Sequence, residues 1–108
     1  MTFERACAVT DIPDEGALAT EIDGEPVALV RSQGEVFAIS DICSHADVPL
    51  SEGDVADCEI ECWLHGSRFD LRTGKPTGPP ASSPVPVYPV RLDGDDVLVD
   101  VSGALDPT

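Results

Sequence analysis

Aromatic residues are scarce in this 108-residue chain: three phenylalanines, one tyrosine and one tryptophan. A core with so few large rings has to rest on Val, Leu, Ile and Ala. Bases are scarce too, six Lys and Arg against 21 Asp and Glu, for a formal charge of −15. A surface so acidic repels nucleic acid and anionic membranes, and neither is expected as a partner. No run approaches the ~20 apolar residues of a membrane span, and the opening MTFERACAVTDIPDE has no signal-peptide apolar stretch. The expectation is a cytoplasmic protein, where thiols stay reduced and paired cysteines mark metal or redox chemistry more often than disulfides.

Helical periodicity is also missing. Ten prolines and nine glycines interrupt the chain at short intervals, and no amphipathic stretch is long enough for a helix. Short strand-like runs are present instead. ALATEI (17–22), PVALVRS (26–32) and EVFAIS (35–40) are separated by Asp23-Gly24 and Gln33-Gly34, both tight-turn signals. VYPVRL (87–92) and VLVDV (97–101) flank a further turn, DGDD. The pattern predicts an all-β, antiparallel fold in a single domain, residues 1–108, a size that buries roughly two-thirds of its unfolded surface.

Residues 41–80 differ in character and read as a small metal-binding lobe inserted between the flanking hairpins. The lobe holds both histidines and three of the four cysteines, then Thr73-Gly74 as a turn and Gly78-Pro79-Pro80 as a rigid bend. Its pattern is Cys43-x-His45, sixteen residues, then Cys62-x-x-His65. Two thiolates and two imidazoles suit zinc or an iron–sulfur cluster. Zinc pairs are usually spaced C-x₂₋₄-C and H-x₃₋₅-H, which Cys43-x-His45 does not match. A binuclear cluster removes the difficulty if each run gives its thiolate to one iron and its imidazole to the other, two histidines replacing two cysteines on a single iron.

With these residues the sequence resembles the Rieske family. The segments CSH and CWLHGSRFD, with the downstream PP, match its two ligand loops and its proline-bearing third loop. The resemblance runs on into the flanking strands and covers nearly the whole chain. It implies the Rieske iron–sulfur fold, antiparallel sandwich or barrel-like sheets carrying a cluster-binding lobe, and one 2Fe-2S cluster held by Cys43, His45, Cys62 and His65. It also implies that electrons leave through His45 and His65, whose imidazole edges reach the surface in the family. Trp63, Gly66, Ser67, Phe69, Pro79 and Pro80 would surround the cluster, with Gly66 small enough for backbone to pass close by. High-potential members add a disulfide between the loops, but Val48 and Leu64 stand at those positions. Ser67 occupies the family's serine position, while Phe69 replaces a tyrosine and brings no hydroxyl. One hydrogen-bond donor of two remains, which places the expected potential in the lower part of the Rieske range, roughly −150 to +300 mV.

No nucleophile, general acid or substrate pocket is evident, so the protein is expected to be an electron carrier rather than an enzyme. By resemblance it is the ferredoxin of a multicomponent oxygenase, working between an NAD(P)H-dependent flavin reductase and a terminal non-haem iron oxygenase, and monomeric. Service in iron–sulfur assembly or to a haem monooxygenase, a nitrite-reductase small-subunit role, and structural zinc are the other readings. The acidic surface would steer the protein toward basic faces on its partners. Arg68, Arg72 and Lys75 fall just after the second Cys/His run and are expected to make the field there less negative. Cys7 and Cys58 are left over, Cys58 at an expected hairpin turn before EIEC.

Overall fold

A computed structural model describes residues 3–42, 49–62, 68–77 and 84–101. β2 (Gly16–Ile22), β3 (Glu25–Ser32) and β4 (Glu35–Ser40) form an antiparallel meander, extended on the β4 side by β8 (Val87–Tyr88). Its two turns are the Asp23-Gly24 and Gln33-Gly34 pairs, and all four residues have positive φ between 51° and 81°. Two consecutive left-handed residues match the twist of paired strands, so these short turns fix the register.

A second sheet runs β1 (Glu4–Ala8), β10 (Asp96–Val99), β9 (Val90–Asp93). The run VYPVRL, expected as one strand, is two. It breaks at Pro89, giving β8 to the first sheet and β9 to the second. Proline has no N–H for a ladder bond, and the Pro89 carbonyl instead accepts from Asp100 N at 3.2 Å. β1 was not expected at all. Only Cys7 in ERACA is buried, and its pairing partner β10 lies at the far end of the chain.

The inserted lobe is a third antiparallel sheet, β5 (Val55–Ala56), β6 (Glu59–Glu61) and β7 (Arg68–Asp70). Helical content among the described residues is confined to two 3-10 turns, Val9–Asp11 and Leu50–Glu52, and to Val101. No helix among them is long and apolar enough to cross a membrane.

Two cores share the four-stranded sheet. Val27 and Leu29 face the β1-β10-β9 sheet and pack with Ile12, Ile22, Val97 and Val99. Ala28 and Val30 face the lobe and pack with Leu50, Ile60, Cys62, Phe69 and Leu71. Successive side chains of a strand point to opposite faces, so the unbroken apolar run of β3 is what a strand covered on both sides requires.

Ser32, fully buried at the end of β3, joins base to lobe. Its hydroxyl accepts from Cys58 N at 3.0 Å and donates to Glu15 Oε2 at 2.9 Å. Ser32→Ala orphans a buried N–H at the β5–β6 turn and is expected to cost about 1–3 kcal/mol, measured as a lowered urea midpoint at unchanged m-value.

Candidate metal centre

Of the four candidate ligands, Cys62 lies among the described residues. Cys43, His45 and His65 lie outside them, as do Val48, Trp63, Leu64, Gly66, Ser67, Pro79 and Pro80. The anchoring of the segments that carry them is nevertheless well defined.

Residues 43–48 leave and rejoin the described structure at Ile42 and Pro49, which form an antiparallel bridge. Just outside that bridge Asp41 closes the base. Its carbonyl accepts from Leu50 N at 2.7 Å, and its carboxylate accepts from Ser51 N at 2.7 Å and Ser51 Oγ at 3.0 Å. Residues 63–67 are closed by β6 and β7, with Glu61 opposite Arg68. Residues 78–83 are closed by Thr77 N to Arg68 O at 2.8 Å, Val85 N to Gly74 O at 2.8 Å, and a Phe69–Pro76 bridge. The turn that follows the first segment packs against β6, which leads into the second. Gly53, just past the Leu50–Glu52 turn, packs so tightly on the Glu61 carbonyl that a Cβ there would sit 1.6 Å from the oxygen. Glu61 N also donates to Asp54 O at 2.8 Å. The ends of the first segment thus meet in the Ile42–Pro49 bridge, and those of the second on β6 and β7.

Cys62 is the residue after Glu61. Its side chain is fully buried beside Leu50, Ile60 and Phe69, and its thiol is not in a disulfide. Unbridged and at the foot of a pinned loop, the Cys62 sulfur is free to serve as a metal ligand. With one further thiol and two imidazoles carried on the adjoining segments, the donor set suits a binuclear iron–sulfur cluster with mixed sulfur and nitrogen ligation.

Phe69, read from sequence as a residue beside the cluster, is a fully buried core residue of β7 paired with Ile60. It packs in the same core as Cys62 and brings no hydroxyl. The two spare cysteines are also buried. Burial raises the Cys7 thiol above its ordinary pKa and keeps it protonated. Cys58 does sit at the expected turn, with Asp57 and Cys58 both at positive φ, 53° and 59°.

The less negative field expected from Arg68, Arg72 and Lys75 is partly offset. Arg68 Nε lies 3.2 Å from Glu59 Oε1, and Arg72 is paired with Glu35 at 3.1 Å; Lys75 is exposed. Elsewhere acids crowd one another, and a hydrogen bond from Glu4 to Asp23 lifts the Glu4 carboxyl above its usual range. A groove of about 310 Å³ lies between Phe37, Leu71, Tyr88 and Val90. Its one charged lining residue, Arg72, stacks 5.8 Å from the Phe37 ring and is already paired. Tyr88 and Arg72 are the residues with polar side-chain groups in its wall.

Three residues that hold the site escaped the sequence reading: Asp41, Ser51 and Gly53. Only position marks them, Asp41 two residues before a candidate ligand and Gly53 next to a turn.

The sequence from residue 2 to 89 matches the family model described as "Rieske [2Fe-2S] domain". The biphenyl dioxygenase ferredoxin subunit of Pseudomonas sp. (strain KKS102) is 46% identical over 105 residues, 96% of each chain. The ferredoxin of carbazole 1,9a-dioxygenase from Nocardioides aromaticivorans IC177 superposes with a TM-score of 0.87 at 40% identity, covering 92% of this chain and 97% of that one. A structure described as the complex of reduced oxygenase and oxidized ferredoxin in carbazole 1,9a-dioxygenase matches with a TM-score of 0.84 at 31% identity, covering 90% and 91%.

Proposed function

We propose, on the premise that this chain belongs to the Rieske [2Fe-2S] domain family, that it is the ferredoxin of a ring-hydroxylating dioxygenase system. In that role it takes electrons singly from an NAD(P)H-dependent flavin reductase and delivers them to a terminal non-haem iron oxygenase. Its cofactor is one Rieske 2Fe-2S cluster, which when bound accepts and returns one electron at a time. Cys43 and Cys62 would hold one iron, and His45 and His65 the other. The observation that carries this reading is Cys62 itself: a buried free thiol directly after Glu61, against whose carbonyl the turn following the first segment packs.

The residues of the chain divide the remaining work. Gly53, Asp41 and Ser51 hold the ligand segments. Leu50, Ile60, Phe69 and Leu71 keep water from the Cys62 side. His45 and His65 would form the route for electron exit. Neutral imidazoles in place of thiolates raise the potential, while Phe69 brings no hydrogen bond to the sulfurs to raise it further. Film voltammetry is expected to place the potential in the lower part of the range of about −150 to +300 mV; a value well above zero contradicts this arrangement.

The deciding experiment is reconstituted turnover. Purified protein should be coloured, carry two irons, and couple NAD(P)H oxidation to ring hydroxylation when a reductase and an oxygenase are supplied. A colourless protein binding one zinc overturns the reading. The −15 charge sets the kinetics: docking is steered toward basic faces, so the second-order rate with the oxygenase should fall several-fold between low salt and about 0.5 M. A salt-independent rate would exclude charge steering. The protein is proposed to act as a cytoplasmic monomer, because one exposed electron-exit edge must meet two partners in turn.

A further inference from the structure

We propose that Asp41 is a positioning residue for the metal centre: its carboxylate fixes the first ligand segment to the Leu50–Glu52 turn, and its charge opposes reduction of the cluster. The inference rests on the ligand set proposed above but concerns a residue outside it.

Asp41 is only 6% exposed, and acids are rarely buried without a specific arrangement to hold them. Here that arrangement is complete. Oδ1 accepts from Ser51 N at 2.7 Å, Oδ2 from Ser51 Oγ at 3.0 Å, and the Asp41 carbonyl from Leu50 N at 2.7 Å. Asp41 N in turn donates to Pro26 O at 3.1 Å on the base sheet. The residue therefore ties three things together: the base through β3, the start of the segment carrying Cys43 and His45, and the turn that leads through Gly53 to Glu61 and Cys62. Loosening it frees one ligand pair relative to the other.

The charge follows from the same position. Asp41 and Cys43 are two residues apart, so their Cα atoms are no more than about 7 Å from each other. Both oxygens of Asp41 accept from the uncharged Ser51, so these bonds stabilise the carboxylate without cancelling its charge. Reduction adds a negative charge to the cluster. A carboxylate on the residue two before a proposed ligand, in surroundings less polar than water, makes that addition less favourable.

Two variants separate the roles. Asp41→Asn keeps the shape, with the amide oxygen accepting from Ser51 N and the amide nitrogen donating to Ser51 Oγ, but removes the charge. It should load a cluster and shift the reduction equilibrium toward the reduced form several-fold, tenfold corresponding to 59 mV for a one-electron couple. Ser51→Ala keeps the charge and removes one bond of the clamp. Its potential should not rise, but a chelator should bleach it several-fold faster, as loss of a hydrogen bond to a charged group implies. The control is Ile22→Val in the distant core, which lowers overall stability without touching the clamp. Asp41→Asn that loads a cluster at unchanged potential, or loads none while Ser51→Ala does, overturns the charge role. Ser51→Ala bleaching no faster than Ile22→Val overturns the positioning role. A wild-type protein that binds no 2Fe-2S cluster refutes the proposed function instead.

Discussion

Cys62→Ser is expected to abolish the visible absorption and bring bound iron to background, while Cys58→Ser and Cys7→Ser leave both unchanged. Serine has nearly the volume of cysteine, so the core around Leu50, Ile60 and Phe69 loses little packing. What changes is the donor. A thiolate binds iron as a soft, deprotonated ligand at neutral pH, whereas a hydroxyl stays protonated and hard. The buried hydroxyl costs about 1–3 kcal/mol if it finds no partner, a fraction of the 5–15 kcal/mol typical of a domain. The strand signature in circular dichroism should therefore survive the loss of colour. Cys58 supplies the contrast because it is just as buried and only four residues away. Its recorded partners are Ser32, through the backbone N–H, and Gln33 Oε1, 3.8 Å from Sγ; a serine at position 58 keeps the first and gives up only the weak thiol contact. Loss of the cluster in Cys58→Ser with retention in Cys62→Ser would reverse the ligand assignment.

The features legible in the sequence were those whose cause is local. Asp23-Gly24 and Gln33-Gly34 announce their turns because few other pairs accept positive φ at both positions, and β4 begins and ends where alternation put it. The family was legible for a similar reason: CSH and CWLHGSRFD are short-range patterns, and the Rieske [2Fe-2S] domain model matches residues 2–89. What escaped depends on distant partners. β1 exists because β10 supplies its ladder. Pro89 splits a run whose side-chain pattern is continuous, because the two halves find different sheets. Asp41, Ser51 and Gly53 matter through contacts across ten or so residues, and nothing in their neighbours' periodicity marks them. The mixed character of the cluster lobe has the same origin. Its strands are two or three residues long, too short for a propensity signal, and are held by the core beneath them.

Gly53→Ala should be the most damaging single-methyl substitution in the described structure outside the ligands. Backbone conformation is not the reason: Gly53 has φ −87° and ψ 174°, open to any residue. Space is the reason. An added Cβ would lie 1.6 Å from the Glu61 carbonyl oxygen and 2.8 Å from its carbon, and a strand backbone cannot swing aside as a side-chain tip can. To make room, β6 must move away from the Leu50–Glu52 turn, stretching the Glu61 N to Asp54 O bond and shifting Cys62, the next residue, against Phe69. Core overpacking costs about 1–3 kcal/mol and occasionally more, and this clash belongs at or beyond the top of that range. Gly94→Ala is the control, since Gly94 has φ +61° but nothing within 4 Å of its Cβ position. It should cost only about 1 kcal/mol of left-handed strain and leave the cluster untouched. Urea unfolding and iron content on the same preparations test the comparison. Gly53→Ala should lose both stability and iron, because the contact that excludes a methyl group holds the turn against Glu61, the residue before Cys62. Equal losses from the two alanines would mean that no such contact is made in solution.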